Sequence, residues 1–419
     1  MSRCIGFIFL AIGFFSLGLD ANLLHAQKLT REKAVEFALE NNPLVVAAGQ
    51  EWQGFRARIT QVRAIPGLEL ELEYEELPAI TRLGDFGARS YGATQTIEFP
   101  LKWWRRGQAA KKASMATRLT VLEMTRLNIS TRVKMAFDRV LAKEKSLDYI
   151  SQNAQLAEDF LHKAQQRLAA GDVPQLEVLR AEVEAGRAAN RVSAAHSDWS
   201  VAKAELNTLL AKPSRTPLEM DGDLNYRPVE LELEKLQSLA LQRRPDFLGA
   251  EWAVESSLST QGAARAAFMP DLNIGLFRQT IRGATGEEGL WRVGLALEFP
   301  LWGAARKRGE LAEAKAAVGQ ATAVKNDARN QMLLEIESAF IAVQSSEKQV
   351  LLFQGRIARE AERSFEVASR SYAEGKATYL ELLEAQKALV EVREEYIAAL
   401  FNYRFALYQL ERASGGPLD

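Results

Sequence analysis

The sequence predicts an α+β membrane protein built as a tandem repeat, each unit carrying two strands followed by two very long helices. Three observations carry this prediction. The first is internal duplication. Ile97-Glu98-Phe99-Pro100-Leu101 is echoed by Leu297-Glu298-Phe299-Pro300-Leu301, and Ala64-Ile65-Pro66 by Phe268-Met269-Pro270. Ala170-Gly171 with Leu176-Glu177-Val178-Leu179 is echoed by Glu374-Gly375 with Leu380-Glu381-Leu382-Leu383. The echoes keep their order along nearly the whole chain, as a repeated structural unit requires. The second is period-two alternation in short runs, and the third is two proline-free stretches long enough for helices of about 90 Å.

The duplication divides the chain into a first repeat at 27–211, a polar proline-containing linker at 212–231, a second repeat at 232–413 and a tail at 414–419. Each repeat opens with a short helix that stops before Pro43 or Pro245, then a second that runs to Pro66 or Pro270. Strands are expected at about 67–99 and about 271–299. Long helices are expected at about 102–211 and about 304–413.

Along 68–75 every second residue is apolar and the residues between, Glu69, Glu71, Glu73 and Glu75, are all acidic. In 291–299 the odd positions are Trp, Val, Leu, Leu and Phe. Turn-rich loops are expected at 78–88 and 282–289. Runs of this length approach the 9–11 residues a tilted strand needs to cross a bilayer. Four strands cannot close a barrel, and an open edge is not tolerated in lipid. Several copies must then share one barrel, apolar faces toward lipid and the glutamates lining water. Trp103, Trp104 and Trp302 follow the strands with a basic run, where an aromatic girdle at the membrane interface belongs. The return helix carries a three-four stripe, Tyr379, Leu382, Gln386, Leu389, Arg393, Tyr396, Leu400, Tyr403, Leu407 and Leu410, which reads as a coiled-coil seam.

The N-terminus reads as a secretory signal peptide at 1–26, with Arg3 before an apolar run from Ile5 to Leu19. Cys4 precedes that run, so no lipid anchor is expected there. Lys and Arg number 53 against 54 Asp and Glu, which argues against a nucleic-acid partner. With one cysteine and three histidines, no metal site or cofactor is expected. No nucleotide-binding or nucleophile-elbow motif is present and no carboxylate pair sits in a motif, so an enzyme is not expected.

On the paired Glu-Phe-Pro-Leu motifs, the glycine turns and the Gly375-x5-Glu381-Leu-Leu-Glu384-Ala-Gln386 stretch, the chain resembles the TolC family of outer-membrane efflux proteins. Its short build resembles the heavy-metal branch. The resemblance implies a homotrimer with a twelve-stranded β-barrel in the outer membrane, continuous with an α-helical barrel in the periplasm. It implies a periplasmic adaptor and an inner-membrane pump, possibly of the RND type, as partners. It also implies a closed tip ringed by carboxylates at Glu381 and Glu384, where the family usually has Asp. Tyr372 matches a position that bonds a carboxylate of the neighbouring tip, with Glu177 its expected partner, and the turns at Gly171 and Gly375 are the expected adaptor docking surface. Two other readings fit the sequence: a periplasmic coiled-coil adaptor or scaffold, and the outer-membrane conduit of a secretion system.

Overall fold

The computed structural model describes residues 28–81, 83–283, 286–299 and 303–418. The expected signal peptide and Trp302 lie outside the described residues. The first half runs α1 (Arg31–Asn41), α2 (Pro43–Val62), β1 (Glu69–Glu75), β2 (Ala88–Ile97), α3 (Pro100–Thr117), α4 (Met124–Ala170) and α5 (Gln175–Leu209). The second half runs α6 (Leu233–Arg243), α7 (Pro245–Ala266), β3 (Asp271–Gly283), β4 (Gly286–Glu298), α8 (Ala304–Leu352), α9 (Ala358–Ala373) and α10 (Tyr379–Ser414). A π-helical turn at Arg118–Glu123 joins α3 to α4, and another at Phe353–Ile357 joins α8 to α9. No described helix is long and apolar enough to cross a membrane.

The strands form one antiparallel sheet in the order β1-β2-β3-β4, with the two halves joined through β2 and β3. Cross-strand partners share a face. Glu71 lies opposite Gly92 and Glu73 opposite Ser90, so the acidic row shares its face with small and hydroxylated residues. Thr94 donates its hydroxyl to Glu71 Oε1 at 2.7 Å. The other face presents Leu70, Leu72, Tyr91, Leu276, Trp291, Val293, Leu295 and Leu297, all exposed. Arg89, Gln95, Arg278 and Thr280 lie among them on the same face, but an exposed apolar area of this extent marks a surface that meets something other than water. The expected loop at 282–289 is shorter in the structure. Gly286 to Gly289 pair with Thr280 to Gly283, because backbone hydrogen bonding at an exposed hairpin does not need a β-favouring side chain.

Trp103 and Trp104 stand in the first turn of α3, half exposed. Trp103 donates its indole N–H to the Arg63 carbonyl at 2.8 Å, and Arg105 lies over the Trp104 ring.

Away from the hairpin tips, the helices are packed on two apolar cores. One joins α1, α2, α4 and α5; the other joins α6, α8 and α10. The seam on α10 is buried at Tyr379, Leu382, Gln386, Leu389, Leu400, Tyr403, Leu407 and Leu410. The segment 212–231 is not a loose linker. Leu29 bridges Met220, Leu224 is fully buried, and Tyr226 donates to Glu347 at 2.7 Å.

The short helices are pinned by polar groups. Fully buried Asp138 on α4 accepts from Arg31 Nε at 2.9 Å and from the Tyr408 hydroxyl at 2.7 Å. Burial alone would lower the Arg31 pKa, but the adjoining Asp138 charge holds it above the usual range. The residue before each proline binds the end of its own return helix. Asn42 Nδ2 donates to the Leu209 carbonyl at 2.8 Å, and Arg244 Nη1 to the Ala413 carbonyl at 3.3 Å. The helices end alike as well. Lys212 N–H donates to the Asn207 carbonyl and Gly416 N–H to the Glu411 carbonyl, each at 2.9 Å. The left-handed residue in these caps is Gly415, φ 89°, in the second half, but Ala211, φ 55°, in the first.

Candidate functional site: the tip of the helical hairpins

Two helical hairpins, α4–α5 and α9–α10, turn at the end of the molecule remote from the sheet. A helix that reverses within a few residues must leave the right-handed region, and glycine does so without Cβ strain. Gly171 has φ 80° and Gly375 φ 70°. A side chain at either would meet open space, so it is the backbone conformation and not crowding that requires glycine. Asp172 N–H closes the first turn on the Arg167 carbonyl at 2.9 Å, and Lys376 N–H the second on the Ser371 carbonyl at 2.8 Å.

Phe160, Ala164, Ala181, Tyr372, Tyr379 and Leu382 pack the two hairpins together. Burying Leu382 completely contributes about 2 kcal/mol. Phe160 stands edge-on to Tyr372, with ring centroids 6.4 Å apart, and Tyr372 stands edge-on to Tyr379 at 6.2 Å. A buried phenol needs a partner for its hydroxyl. Tyr372 finds one in Glu177 Oε1 on the other hairpin, at 2.7 Å. Burial pushes the Tyr372 hydroxyl above the ordinary tyrosine range. The Glu177 carboxylate adds to the shift, and Arg167, stacked 5.4 Å from the ring centre, opposes it. Tyr379 is pushed up to about 12 by burial and then by Glu184, Tyr372 and Glu177.

Glu381 and Glu384 are both exposed at the start of α10. Glu381 already has a local task. Its carboxylate accepts the Thr378 N–H at 2.7 Å and the Thr378 hydroxyl at 3.0 Å, while its own N–H donates to Thr378 Oγ1 at 3.3 Å. This reciprocal arrangement is a capping box, and the Thr378 N–H followed by its hydroxyl holds the Glu381 carboxyl below its usual range. Glu384, one turn further on, has no ion-pair partner among the described residues. The structure thus brings Glu177 and Tyr372 together and leaves Glu381 and Glu384 side by side on one helix.

Two polar contacts between the hairpins were not anticipated from sequence. Lys387 reaches the buried Glu184 carboxylate at 3.1 Å, and Gln386 Nε2 donates to Asn153 Oδ1 at 2.7 Å. Gln386 was visible as a polar residue inside the apolar stripe. Glu184 was visible only as an acid among Ala181, Ala185 and Ala188.

An exposed apolar sheet face, an acidic opposite face and a pair of long helical hairpins together define the subunit of a membrane channel that continues into a helical duct. The family model described as Outer membrane efflux protein matches residues 34–212 and again 236–416, and the chain belongs to that family. It is an outer-membrane protein whose helices extend into the periplasm. Among curated proteins, the chain is 25% identical over 395 residues to the cobalt-zinc-cadmium resistance protein CzcC of Cupriavidus metallidurans, covering 93% of this chain and 91% of that one. It is 27% identical over 262 residues to the probable outer membrane lipoprotein SilC of Salmonella typhimurium, covering 60% of this chain and 56% of that one. Among solved structures, CusC superposes with a TM-score of 0.76 at 19% identity over 92% of each chain. VceC of Vibrio cholerae superposes with a TM-score of 0.73 at 19% identity, covering 93% of this chain and 97% of that one. CusC of Escherichia coli, 26% identical over 186 residues, is a cation efflux system protein, and its solved structure concerns transmembrane channel formation.

Proposed function

We propose that this chain is the outer-membrane exit duct of a tripartite efflux system, working as a homotrimer with a shared twelve-stranded barrel. In this reading the repeats at 27–211 and 232–413, joined through 212–231, each contribute one strand pair and one helical hairpin. The sheet carries the proposal: an apolar outer face with two unpaired edges, β1 and β4, has no stable place in lipid unless further copies close it. Trp103 and Trp104, at the start of α3, sit at the periplasmic membrane interface. Glu69, Glu71, Glu73 and Glu75 line the barrel lumen.

At the far end the Tyr372–Glu177 bond holds the hairpins together and the entrance shut. Three copies each of Glu381 and Glu384 form a negative ring there that favours cations. The turns at Gly171 and Gly375 receive a periplasmic adaptor, which couples the duct to an inner-membrane pump, possibly of the RND type. The duct itself is passive. Metal cations are the proposed cargo, supported by the cobalt-zinc-cadmium resistance named for one relative and the acidic character of both ends of the path. The test is reconstitution of the purified protein in a planar bilayer, with light scattering for the mass. A trimer of low, cation-selective conductance supports the reading. A monomer that leaves the bilayer sealed overturns it.

A further inference from the structure

We infer that, at the seam between β4 of one protomer and β1 of the next in the shared barrel proposed above, a register already written inside each chain sets Arg292 of one protomer against Glu73 of the next. The inference rests on the shared-barrel reading and goes on to specify how the seam is built. β2 and β3 come from different repeats and pair antiparallel, from Ile97 opposite Leu272 to Ala88 opposite Ile281. Repetition makes β4 the counterpart of β2 and β1 the counterpart of β3. Glu98-Phe99-Pro100 aligns with Glu298-Phe299-Pro300, and Ile65-Pro66 with Met269-Pro270, at the strand–helix joints.

Carrying the β2–β3 register across to the two free edges places Leu297 opposite Leu68, Leu295 opposite Leu70, Val293 opposite Leu72 and Trp291 opposite Tyr74. Every pair on that face is apolar. A slip of one residue would set leucines against glutamates, so only slips of two compete. On the water face the same register sets Arg292 opposite Glu73. Both are exposed. Arg292 lies 4.8 Å from the Phe277 ring centre, and neither it nor Glu73 has an ion-pair partner among the described residues. A row of four glutamates on one edge strand repels itself, and opposite charges directly across a strand pair relieve that. Within one chain β1 and β4 are three strand spacings apart, about 14 Å, so contact between them has to come from a second copy.

The test uses full-length protein in its membrane, with Cys4, its single native cysteine, replaced by Ser. Leu72→Cys is combined with Val293→Cys and oxidised with copper phenanthroline. Covalent dimers and trimers are expected from this combination and not from Leu70→Cys or Tyr74→Cys combined with Val293→Cys. Cross-linking of either control pair in place of the first overturns the register. No cross-link in protein that scatters as an oligomer overturns the edge pairing. A monomeric protein overturns the shared barrel itself. Independently, Glu73→Arg and Arg292→Glu should each lower the temperature at which the oligomer dissociates. The double exchange should restore it, and failure to restore overturns the ion pair.

Discussion

The Tyr372 hydroxyl donates to Glu177 Oε1 across 2.7 Å, from the last turn of α9 to the first turn of α5, and ties the two repeats together at their tips. The Tyr372 ring is buried in the apolar cluster, while Glu177 is half-buried at its edge. Tyr372→Phe keeps the ring against Phe160 and Tyr379 and removes only the donor. We expect the resting conductance of single channels to rise several-fold in planar bilayers, with the helix content by circular dichroism unchanged. Unchanged conductance would remove this bond from the gate.

Alkaline titration follows from the same cluster. The folded-state pKa values of Tyr372 and Tyr379 lie above the ordinary tyrosine value, Tyr379 at about 12, because burial and nearby carboxylates favour the neutral phenol. Folding therefore favours the protonated forms. The stability they contribute is fully present below about pH 10 and is lost as pH rises through the raised values. Ultraviolet difference spectra should show these two phenols ionising after the exposed tyrosines, and Tyr379→Phe should remove part of the late phase.

Glu381 and Glu384 separate charge from structure. Glu381→Gln retains an acceptor for the Thr378 N–H, whereas Thr378→Ala removes the cap and should cost about 1 kcal/mol of helix stability. Reversal potentials should move toward lower cation preference in Glu384→Gln and Glu381→Gln, without a change in thermal melting for Glu384→Gln. If both glutamines conduct with wild-type selectivity, the two carboxylates are helix-start residues and nothing more.

Buried Asp138 serves two donors on two other helices. Asp138→Ala strands the Arg31 guanidinium and the Tyr408 hydroxyl, and removing one partner of a buried pair costs about 3–5 kcal/mol. The thermal midpoint in detergent should fall sharply. A fall no larger than that of a surface control would show that water reaches the site.

Ala211 adopts the left-handed conformation that its counterpart Gly415 adopts without strain. Left-handed backbone costs a non-glycine residue roughly 1–2 kcal/mol, and glycine returns roughly 0.4–1 kcal/mol of that through the unfolded chain. Ala211→Gly should therefore be neutral to stabilising by about 1 kcal/mol, read as a higher midpoint. The reverse change, Gly415→Ala, should be distinctly destabilising, since a Cβ there would stand 2.9 Å from the Arg244 nitrogen.

Period and punctuation made most of the fold legible. Strict alternation marked β1 and β4, the prolines at 43, 66, 245 and 270 marked helix ends, and glycines marked both hairpin turns. The Tyr372–Glu177 contact was anticipated through resemblance, since nothing in the spacing of residues so far apart fixes their meeting. Contacts made by the third dimension stayed hidden for the same reason. Glu184 and Lys387 lie on different repeats, and their encounter depends on how the hairpins wind together. The cap at Glu381 is the opposite case: Thr378-x-x-Glu381 is a local pattern whose meaning lies in the backbone of four consecutive residues, and it competes directly with a role for that carboxylate in the lumen.

The π-helical turns at Arg118–Glu123 and Phe353–Ile357 bear on how one long helix serves two sets of neighbours. A π turn holds one residue more than the α turn it replaces and so rotates everything beyond it by about 100° around the axis. Before the first turn α3 packs on α2 and α7; after it α4 packs on α5 and α10. The stripe that faces inward thus changes phase along a single rod without a break in the chain. A sequence scanned with one fixed helical period loses the stripe at those points, although the rod itself is continuous.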